Sequence, residues 1–369
     1  MHKRDQDQFP SVVNARKLGA IKSTRMKPVA FFLLIFFLAS FQEQAKISSV
    51  RKYENKDTTT ISEKSFIELG GEKQYVEITG LSKTNPVLLF LHGGPGWPQT
   101  PHLRYFNSDL TKYMTVVAWE QSGCGQSYIN NPDPIKLSLD QIINDAHELT
   151  QILKKKFNKN KIYLVGFSWG SIPGLKLVEK YPEDYAAYFG ITQVINLKQS
   201  IKISRKWITK QATLKGDKET LKTLKQLETS DTSVCKRELD CFLTHYGLLS
   251  KYGGALFTKK GEDEIAKAET FYADYKKYDW FAAFLYSAYR LENDLFSTDL
   301  SNIKKVKIPM YFIMGRHDWN LPTSITQEYV KKLTAPKKEI IWFENSGHEP
   351  LSEEAPKFNQ VMIDRVKNK

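Results

Sequence analysis

A serine between two glycines is the first feature of the sequence that could do chemistry. The stretch LVGFSWGSIPG (164–174) runs from a short apolar segment into Gly-Phe-Ser-Trp-Gly, with Ser168 at its centre. A serine held on a strained turn between a strand and a helix presents its hydroxyl for attack, which an ordinary turn does not require. We therefore interpret Ser168 as a candidate nucleophile.

A serine hydroxyl is a poor nucleophile unless a base takes its proton and a third group orients that base. His348, in NSGHEP, is the candidate base, and Asp318, in GRHDW, is the candidate orienting acid. Three further acids precede His348 and are alternatives to Asp318, namely Asp294, Asp299 and Glu344.

Acyl transfer also needs donors for the oxyanion that develops on the substrate. The glycine-rich HGGPG (92–96) can expose backbone N–H groups. We predict an oxyanion hole formed by the N–H groups of Gly94 and Trp169, with Gly93 as the alternative to Gly94 and a simple tight turn as the other interpretation of this loop. His92 is interpreted as a hydrogen-bonding support for the loop.

The other histidines and the three cysteines lie in no recognisable motif. No Cys/His cluster has zinc spacing, so we predict no metal and no cofactor. Cys235 and Cys241 could form a disulfide bond if the protein is exported, and Cys124 would then have no cysteine partner. We interpret the histidines without a motif as surface or packing residues: His102, His245 and His317.

Strand and helix patterns alternate along most of the chain. Residues 65–80 predict two strands around a Gly-Gly turn. Apolar runs typical of buried strands lie within 86–96, 114–127, 161–168, 185–194, 308–318 and 337–348, and helical spacing occurs in 139–157, 170–180, 323–333 and from about Glu353. This alternation predicts a parallel α/β sheet, whose reactive groups collect beyond the carboxyl ends of the strands. Each candidate follows a predicted strand, so we expect a single site: His92, Ser168, Asp318 and His348.

The N-terminal region has the pattern of an export signal. The apolar run PVAFFLLIFFLASF (28–41) follows a basic segment and is shorter than the roughly 20 residues that cross a bilayer. A start at Met26 would give a signal of ordinary length. We predict export, periplasmic or secreted, with an uncleaved membrane anchor as the alternative.

The net charge of +13 does not indicate a nucleic-acid site. Lysines are scattered along the chain, and no stretch combines a dense basic run with interleaved aromatic residues. We interpret the charge as a solvated surface, with attraction to an anionic membrane as the alternative.

Four motifs together resemble one family: LHGGPG, GFSWGS, GRHDWNLP and SGHEP. They resemble the proline iminopeptidase (prolyl aminopeptidase) family of α/β-hydrolase serine peptidases, from about residue 62 to the end. The resemblance implies an α/β-hydrolase fold, with a mostly parallel sheet, helices on both faces and an inserted helical cap. It also implies Ser168, Asp318 and His348 as the triad. One departure is EQSG (120–123), where the family has Asp-Gln-Arg-Gly.

Cap carboxylates of that family bind the free amine of a peptide. RLENDLF (290–296) resembles the segment that carries one of them, which maps to Glu292. A second carboxylate has no clear match, and Glu264, Glu269 and Asp279 are candidates by rough position. We divide the chain into a basic region with a signal or anchor (1–45), a linker (46–61), a first core part (62–195), a helical cap (196–302) and a second core part (303–369).

These features predict a serine hydrolase that passes through an acyl-enzyme. The first hypothesis is an aminopeptidase that releases an N-terminal residue, with proline as one candidate. The second is an esterase, amidase or lactonase on the same scaffold, and the third is a binding protein without activity. We expect a small peptide or small molecule as substrate and no nucleic-acid partner, while the sequence does not give the oligomeric state.

Overall fold

The computed structural model describes residues 60–133, 137–229 and 235–367. An eight-stranded sheet forms its centre. The strands are β1 (Ile61–Leu69), β2 (Glu72–Gly80), β3 (Val87–Leu91), β4 (Thr115–Glu120), β5 (Ile162–Phe167), β6 (Tyr185–Ile191), β7 (Met310–Gly315) and β8 (Lys338–Phe343). Their order across the sheet is β1-β2-β4-β3-β5-β6-β7-β8. β2 pairs antiparallel with both β1 and β4, and the pairs from β4 onwards are parallel.

The continuous apolar runs are buried because helices cover both faces of the sheet. In β3, Leu89 and Leu91 pack into a cluster on one face, while Leu88 and Phe90 pack into a cluster on the other. Alternate side chains of a strand point to opposite faces, so a strand buried on both sides must be apolar throughout. The predicted α/β architecture is therefore observed.

Two groups of helices surround the sheet. The helices outside the insertion are α1 (Thr100–Phe106), α2 (Gly125–Asn130), α3 (Leu139–Lys156), α4 (Ser171–Lys180), α11 (Thr323–Lys332), α12 (Pro350–Glu353) and α13 (Ala355–Lys367). The insertion between β6 and β7 contains α5 (Leu197–Leu214), α6 (Lys218–Glu228), α7 (Glu238–Lys251), α8 (Lys259–Phe271), α9 (Trp280–Arg290) and α10 (Glu292–Ser297). We call these six helices the cap. The sequence did not predict α1 and α2, which are too short to show a helical period.

The predicted signal or anchor (1–45) and all but the last two residues of the predicted linker lie outside the described residues. Within the described part of the chain, no helix is long and apolar enough to cross a membrane.

Candidate active site

Ser168 lies on a tight turn between β5 and α4. Its φ of +48° is in the left-handed region, which is rare for a residue with a side chain. A Cβ on Gly170 would lie 2.3 Å from the carbonyl oxygen of Leu91, and one on Gly166 would lie 2.7 Å from that of Gly170. The two glycines of the motif are therefore required by close backbone packing, which holds Ser168 in its strained position.

Three predicted residues meet beyond the carboxyl ends of the strands. The Ser168 hydroxyl lies 2.9 Å from Nε2 of His348, and Nδ1 of His348 lies 3.0 Å from Oδ2 of Asp318. The second oxygen of Asp318 accepts a hydrogen bond of 2.9 Å from the backbone N–H of Leu321. Because the buried carboxylate accepts from Nδ1, the proton of neutral His348 sits on Nδ1 and Nε2 is free to accept the serine proton.

The basicity of His348 is set by opposing effects. Burial lowers the pKa of the imidazole, whereas the charge of Asp318 and the hydrogen bond to it raise that pKa, and the net shift is upward from 6.5. A base whose pKa lies near the working pH can accept a proton in the transition state and return it afterwards. The three residues thus have the geometry and the basicity that nucleophilic catalysis requires.

The HGGPG loop lies beside Ser168. Gly93 and Gly94 both line the cavity that contains Ser168 and His348. Gly94 has a φ of +106°, and a Cβ there would lie 2.7 Å from the backbone nitrogens of Gly96 and Trp97. The sharp turn that only glycine permits at this position keeps the backbone of the loop at the cavity wall.

Two buried side chains support this loop and the residue after the nucleophile. Nε2 of His92 accepts a hydrogen bond from the backbone N–H of Gln121, and Oε1 of Gln121 accepts one from the indole N–H of Trp169. Burial lowers the pKa of His92 to about 4, so this histidine is neutral and can accept. His92 therefore links the HGGPG loop to the loop after β4, as a supporting role predicts.

A cavity of about 370 Å³ opens onto Ser168 and His348. This volume lies within the range of small-ligand sites, roughly 300–1,000 Å³. Core loops and cap helices α7, α8 and α9 form its wall. Most of that wall is apolar, including Trp97, Phe242, Leu243, Ile265, Phe281 and Phe284.

Two carboxylates on the cavity wall have strongly raised pKa values. Glu269 comes from α8 of the cap, and Glu349 directly follows His348. Burial raises the pKa of each to about 7, and the charge of Glu269 contributes to the shift at Glu349. The indole N–H of Trp97 donates a hydrogen bond of 3.0 Å to Glu269. The apolar cavity thus contains two acids that a bound cation would help to ionise.

Glu292 does not lie on this cavity wall, in contrast to its predicted role. The residue is 8% exposed, and Oε1 accepts a hydrogen bond of 2.9 Å from the backbone N–H of Leu239, in the first turn of α7. Oε2 accepts one of 2.7 Å from Nε of Arg237. Both oxygens already have cationic or dipolar partners, so Glu292 joins two cap helices and is not positioned to bind a substrate amine.

The other acids that the sequence proposed are also engaged outside the cavity. Glu264 accepts from the hydroxyl of Tyr105, and Asp279 caps α9 by accepting from the backbone N–H of Ala282. Among the alternatives to Asp318, Asp294 accepts from the backbone of Leu139, Asp299 accepts from the backbone of Ser301, and Glu344 pairs with Arg316.

Sequence reasoning named Glu269 only by rough position and missed Glu349. The signal for Glu349 was its place directly after the candidate base, since a neighbour of the base must also lie near the nucleophile. The sequence left the pairing of Cys235 and Cys241 open, and the structure joins them in a disulfide, with Cys124 free and buried. No cluster of metal-binding side chains occurs in the part of the chain that the structure describes.

Comparison with known proteins defines the class. The family model for the alpha/beta hydrolase fold matches residues 86–355, and the chain belongs to this family. It is 30% identical over 302 residues to the probable aminopeptidase YbaC of Bacillus subtilis, covering 80% of this chain and 93% of that protein. It is 22% identical over 313 residues to a proline iminopeptidase of Saccharolobus solfataricus, covering 82% and 93%.

The solved structures agree with this fold. A proline iminopeptidase-related protein from Thermus thermophilus aligns with a TM-score of 0.58 at 20% identity, covering 82% of this chain and 96% of that chain. The predicted fold class and the resemblance to proline iminopeptidases are confirmed, and the chain is a hydrolase with relatives named as aminopeptidases.

Proposed function

We propose that this protein is a serine aminopeptidase that releases one N-terminal residue from short peptides. The observation that carries the proposal is the hydrogen-bonded chain from Ser168 through His348 to Asp318, at a cavity that also contains Glu269 and Glu349. The three hydrogen-bonded residues supply an activated nucleophile, and the two carboxylates supply negative charge close to it.

The catalytic steps follow from these positions. His348 takes the Ser168 proton on Nε2 while Oγ attacks the scissile carbonyl carbon, and the backbone N–H groups of Gly94 and Trp169 stabilise the oxyanion. The intermediate collapses when His348 gives that proton to the leaving amine, which leaves an acyl-enzyme. His348 then takes a proton from a water molecule, which attacks the ester carbonyl carbon. When the bond from that carbon to Oγ breaks, His348 returns the proton to Ser168 and the released amino acid leaves.

The carboxylates favour a substrate with a free amine. An α-amino group has a pKa of about 8 and is mostly cationic at neutral pH. In an apolar cavity its charge needs a partner, because a buried unpaired charge is costly. Glu269 and Glu349 are the acids in position to provide it, and they take the place that the sequence gave to Glu292. Proline remains one candidate for the released residue.

The apolar wall supports an alternative substrate class. An uncharged ester, amide or lactone would also bury apolar surface against Phe242, Phe281 and Phe284. Such a substrate would not need the carboxylates, so the two functions are distinguished by their dependence on a free amine.

A substrate panel tests the proposal. The full chain is assayed on the β-naphthylamides of proline, alanine and leucine, each with a free and an N-acetylated amine, and on p-nitrophenyl acetate. We expect turnover of the free-amine compounds and little of the acetylated ones. Loss of a hydrogen bond to a charged group costs about 1.5–3 kcal/mol, so Glu269→Gln and Glu349→Gln should each raise KM for free-amine substrates about tenfold or more.

The matched control is Glu264→Gln, a change of the same charge on the same helix. Its carboxylate contacts Tyr105 outside the cavity, so KM should not change. Wild-type activity that is indifferent to acetylation, or confined to the ester, would favour the esterase alternative.

We also propose export from the cytoplasm. The sequence pattern at residues 28–41 is one support. The Cys235–Cys241 disulfide is a second, because disulfides persist mainly in oxidising compartments. Mass-spectrometric mapping of the mature N-terminus in cell fractions tests the proposal, and a cytoplasmic protein that retains residues 1–45 would contradict it.

A further inference from the structure

A buried histidine lies between the two cavity carboxylates. His102, in α1, has no exposed surface. Its ring stacks on Trp280 with a centroid distance of 5.9 Å and an interplanar angle of 13°, and Phe106 contacts it edge-on. Of the surface and packing roles that the sequence offered for His102, the structure shows packing, which fixes the ring in one plane within the cap–core interface.

Each ring nitrogen of His102 faces a different carboxylate. Nε2 lies 3.7 Å from Oε1 of Glu269, and Nδ1 lies 3.9 Å from Oε2 of Glu349. One acid comes from the cap and the other from the loop after β8. The imidazole therefore lies within 4 Å of both carboxylates, without a hydrogen bond to either.

Gln99 determines which nitrogen carries the proton. Nε2 of Gln99 lies 2.9 Å from Nδ1 of His102, and in this orientation the amide donates to Nδ1. The proton of the neutral ring then sits on Nε2 and is directed at Glu269. Burial lowers the pKa of His102 to about 4, which keeps the ring neutral at the pH where peptides carry a cationic amine.

The Nε2 donor is unsatisfied as it stands. It makes no hydrogen bond to any residue in the described ranges, and 3.7 Å is too long for one. A buried polar group without a partner costs about 1–3 kcal/mol. A shift of Glu269 toward the ring would let Nε2 of His102 donate to this carboxylate and satisfy the buried donor.

We propose that His102 is a positioning residue for Glu269, the cap carboxylate that is to receive the substrate's ammonium group. The inference rests on the proposed aminopeptidase function. A donor from His102 stabilises the ionised form of Glu269, and the stacking of the ring on Trp280 fixes the direction of that donor.

Other titratable groups also act on this cluster. His348 adjoins Glu349, Glu353 follows on α12, and the hydroxyl of Tyr246 on α7 interacts with Glu349. Because those groups remain when His102 is replaced, a variant at this position tests the contribution of the imidazole.

The test compares His102→Phe with His102→Gln in the full chain. Phenylalanine keeps the aromatic packing against Trp280 but removes the donor, while glutamine keeps an N–H donor. We expect His102→Phe to raise KM for leucine β-naphthylamide about tenfold with kcat changed less than twofold, and His102→Gln to recover most of the loss. Kinetics on p-nitrophenyl acetate should not change in either variant.

A matched control separates positioning from general packing. His245, in α7, is also fully buried, and neither of its ring nitrogens makes a hydrogen bond within the described residues. His245→Phe should therefore leave the KM for the free-amine substrate unchanged. Thermal melting of each variant shows whether it is folded.

The outcomes are distinguishable. If the wild-type enzyme requires a free amine but His102→Phe leaves KM unchanged, or changes ester and amide kinetics equally, the inference is overturned and the proposed function stands. If the wild-type enzyme ignores N-acetylation, both are overturned. A raised KM confined to free-amine substrates, with recovery in His102→Gln, supports the positioning role of the His102 donor.

Discussion

The carboxyl edge of the sheet and the cap place their polar residues by different physical rules. At the sheet edge, Ser168, Asp318 and His348 follow β5, β7 and β8, so strand pairing alone brings their loops together. In the cap, no sheet fixes the rotation of a helix. A glutamate such as Glu292 therefore faces whichever neighbour best compensates its charge.

This difference explains why two acids of the same type have opposite surroundings. Glu292 has Arg237 and the N–H of Leu239 as partners, so its charge is already compensated. Glu269 has one indole N–H and an apolar cavity, and burial raises its pKa to about 7. A carboxylate that lacks an internal cation is the one available to a cationic ligand.

The largest expected effect is at the sheet edge. Ser168→Ala removes the nucleophile, and loss of a triad member in serine hydrolases lowers kcat by about 10⁴-fold or more. Steady-state kinetics on leucine β-naphthylamide and labelling by a fluorophosphonate probe measure it. Both activity and labelling should be lost while the melting temperature stays close to that of the wild type. Activity within tenfold of the wild type would show that another residue is the nucleophile.

The dependence of activity on pH distinguishes the catalytic base at the sheet edge from the carboxylates on the cavity wall. His348 must be neutral to accept a proton, so kcat/KM for p-nitrophenyl acetate should rise with pH through its raised pKa, about tenfold per unit on the acid side. Free-amine substrates also need ionised Glu269 and Glu349, whose pKa values are about 7, so their acid limb should be steeper.

The alkaline limb provides the control for this profile. A free-amine substrate loses its charge above a pKa of about 8, whereas an ester has no such group. We therefore expect kcat/KM to fall above pH 8 for leucine β-naphthylamide only. Identical profiles for the two substrates would show that the cavity acids do not recognise an amine.

The difference between the sheet edge and the cap also determines how much of the structure could be predicted from the sequence. Apolar runs predicted the strands, and the order of Ser168, Asp318 and His348 after those strands predicted that they meet. The glycines of GFSWG and HGGPG pointed to tight turns, because a side chain at Gly170 or Gly94 would collide with the backbone.

The cap could be predicted only as a set of helices. Which face of α8 or α10 meets the cavity depends on packing between helices that are distant in the sequence, and the partner of Glu292 lies 55 residues away. The position of His102 is a similar case, since Glu269 and Glu349 reach it from other parts of the chain. The spacing of residues along the sequence does not indicate contacts between distant parts of the chain.

The smallest expected effect on activity is at Glu292. Glu292→Gln keeps the shape of the side chain and removes the charge that faces Arg237 and α7. Because Glu292 does not line the cavity, kcat/KM for leucine β-naphthylamide should stay within twofold of the wild type, in contrast to Glu269→Gln. Arg237 is 47% exposed, so solvent screening limits the loss of stability to about 1–2 kcal/mol.

Urea unfolding of single and double variants tests this structural role. If the two charges act mainly on each other, Arg237→Gln should destabilise the wild type but have little further effect on Glu292→Gln, because coupled residues are not additive. A large rise in KM for Glu292→Gln, without loss of stability, would return Glu292 to the substrate site. That result would mean the cap moves on binding so that Glu292 exchanges Arg237 for the substrate's amine.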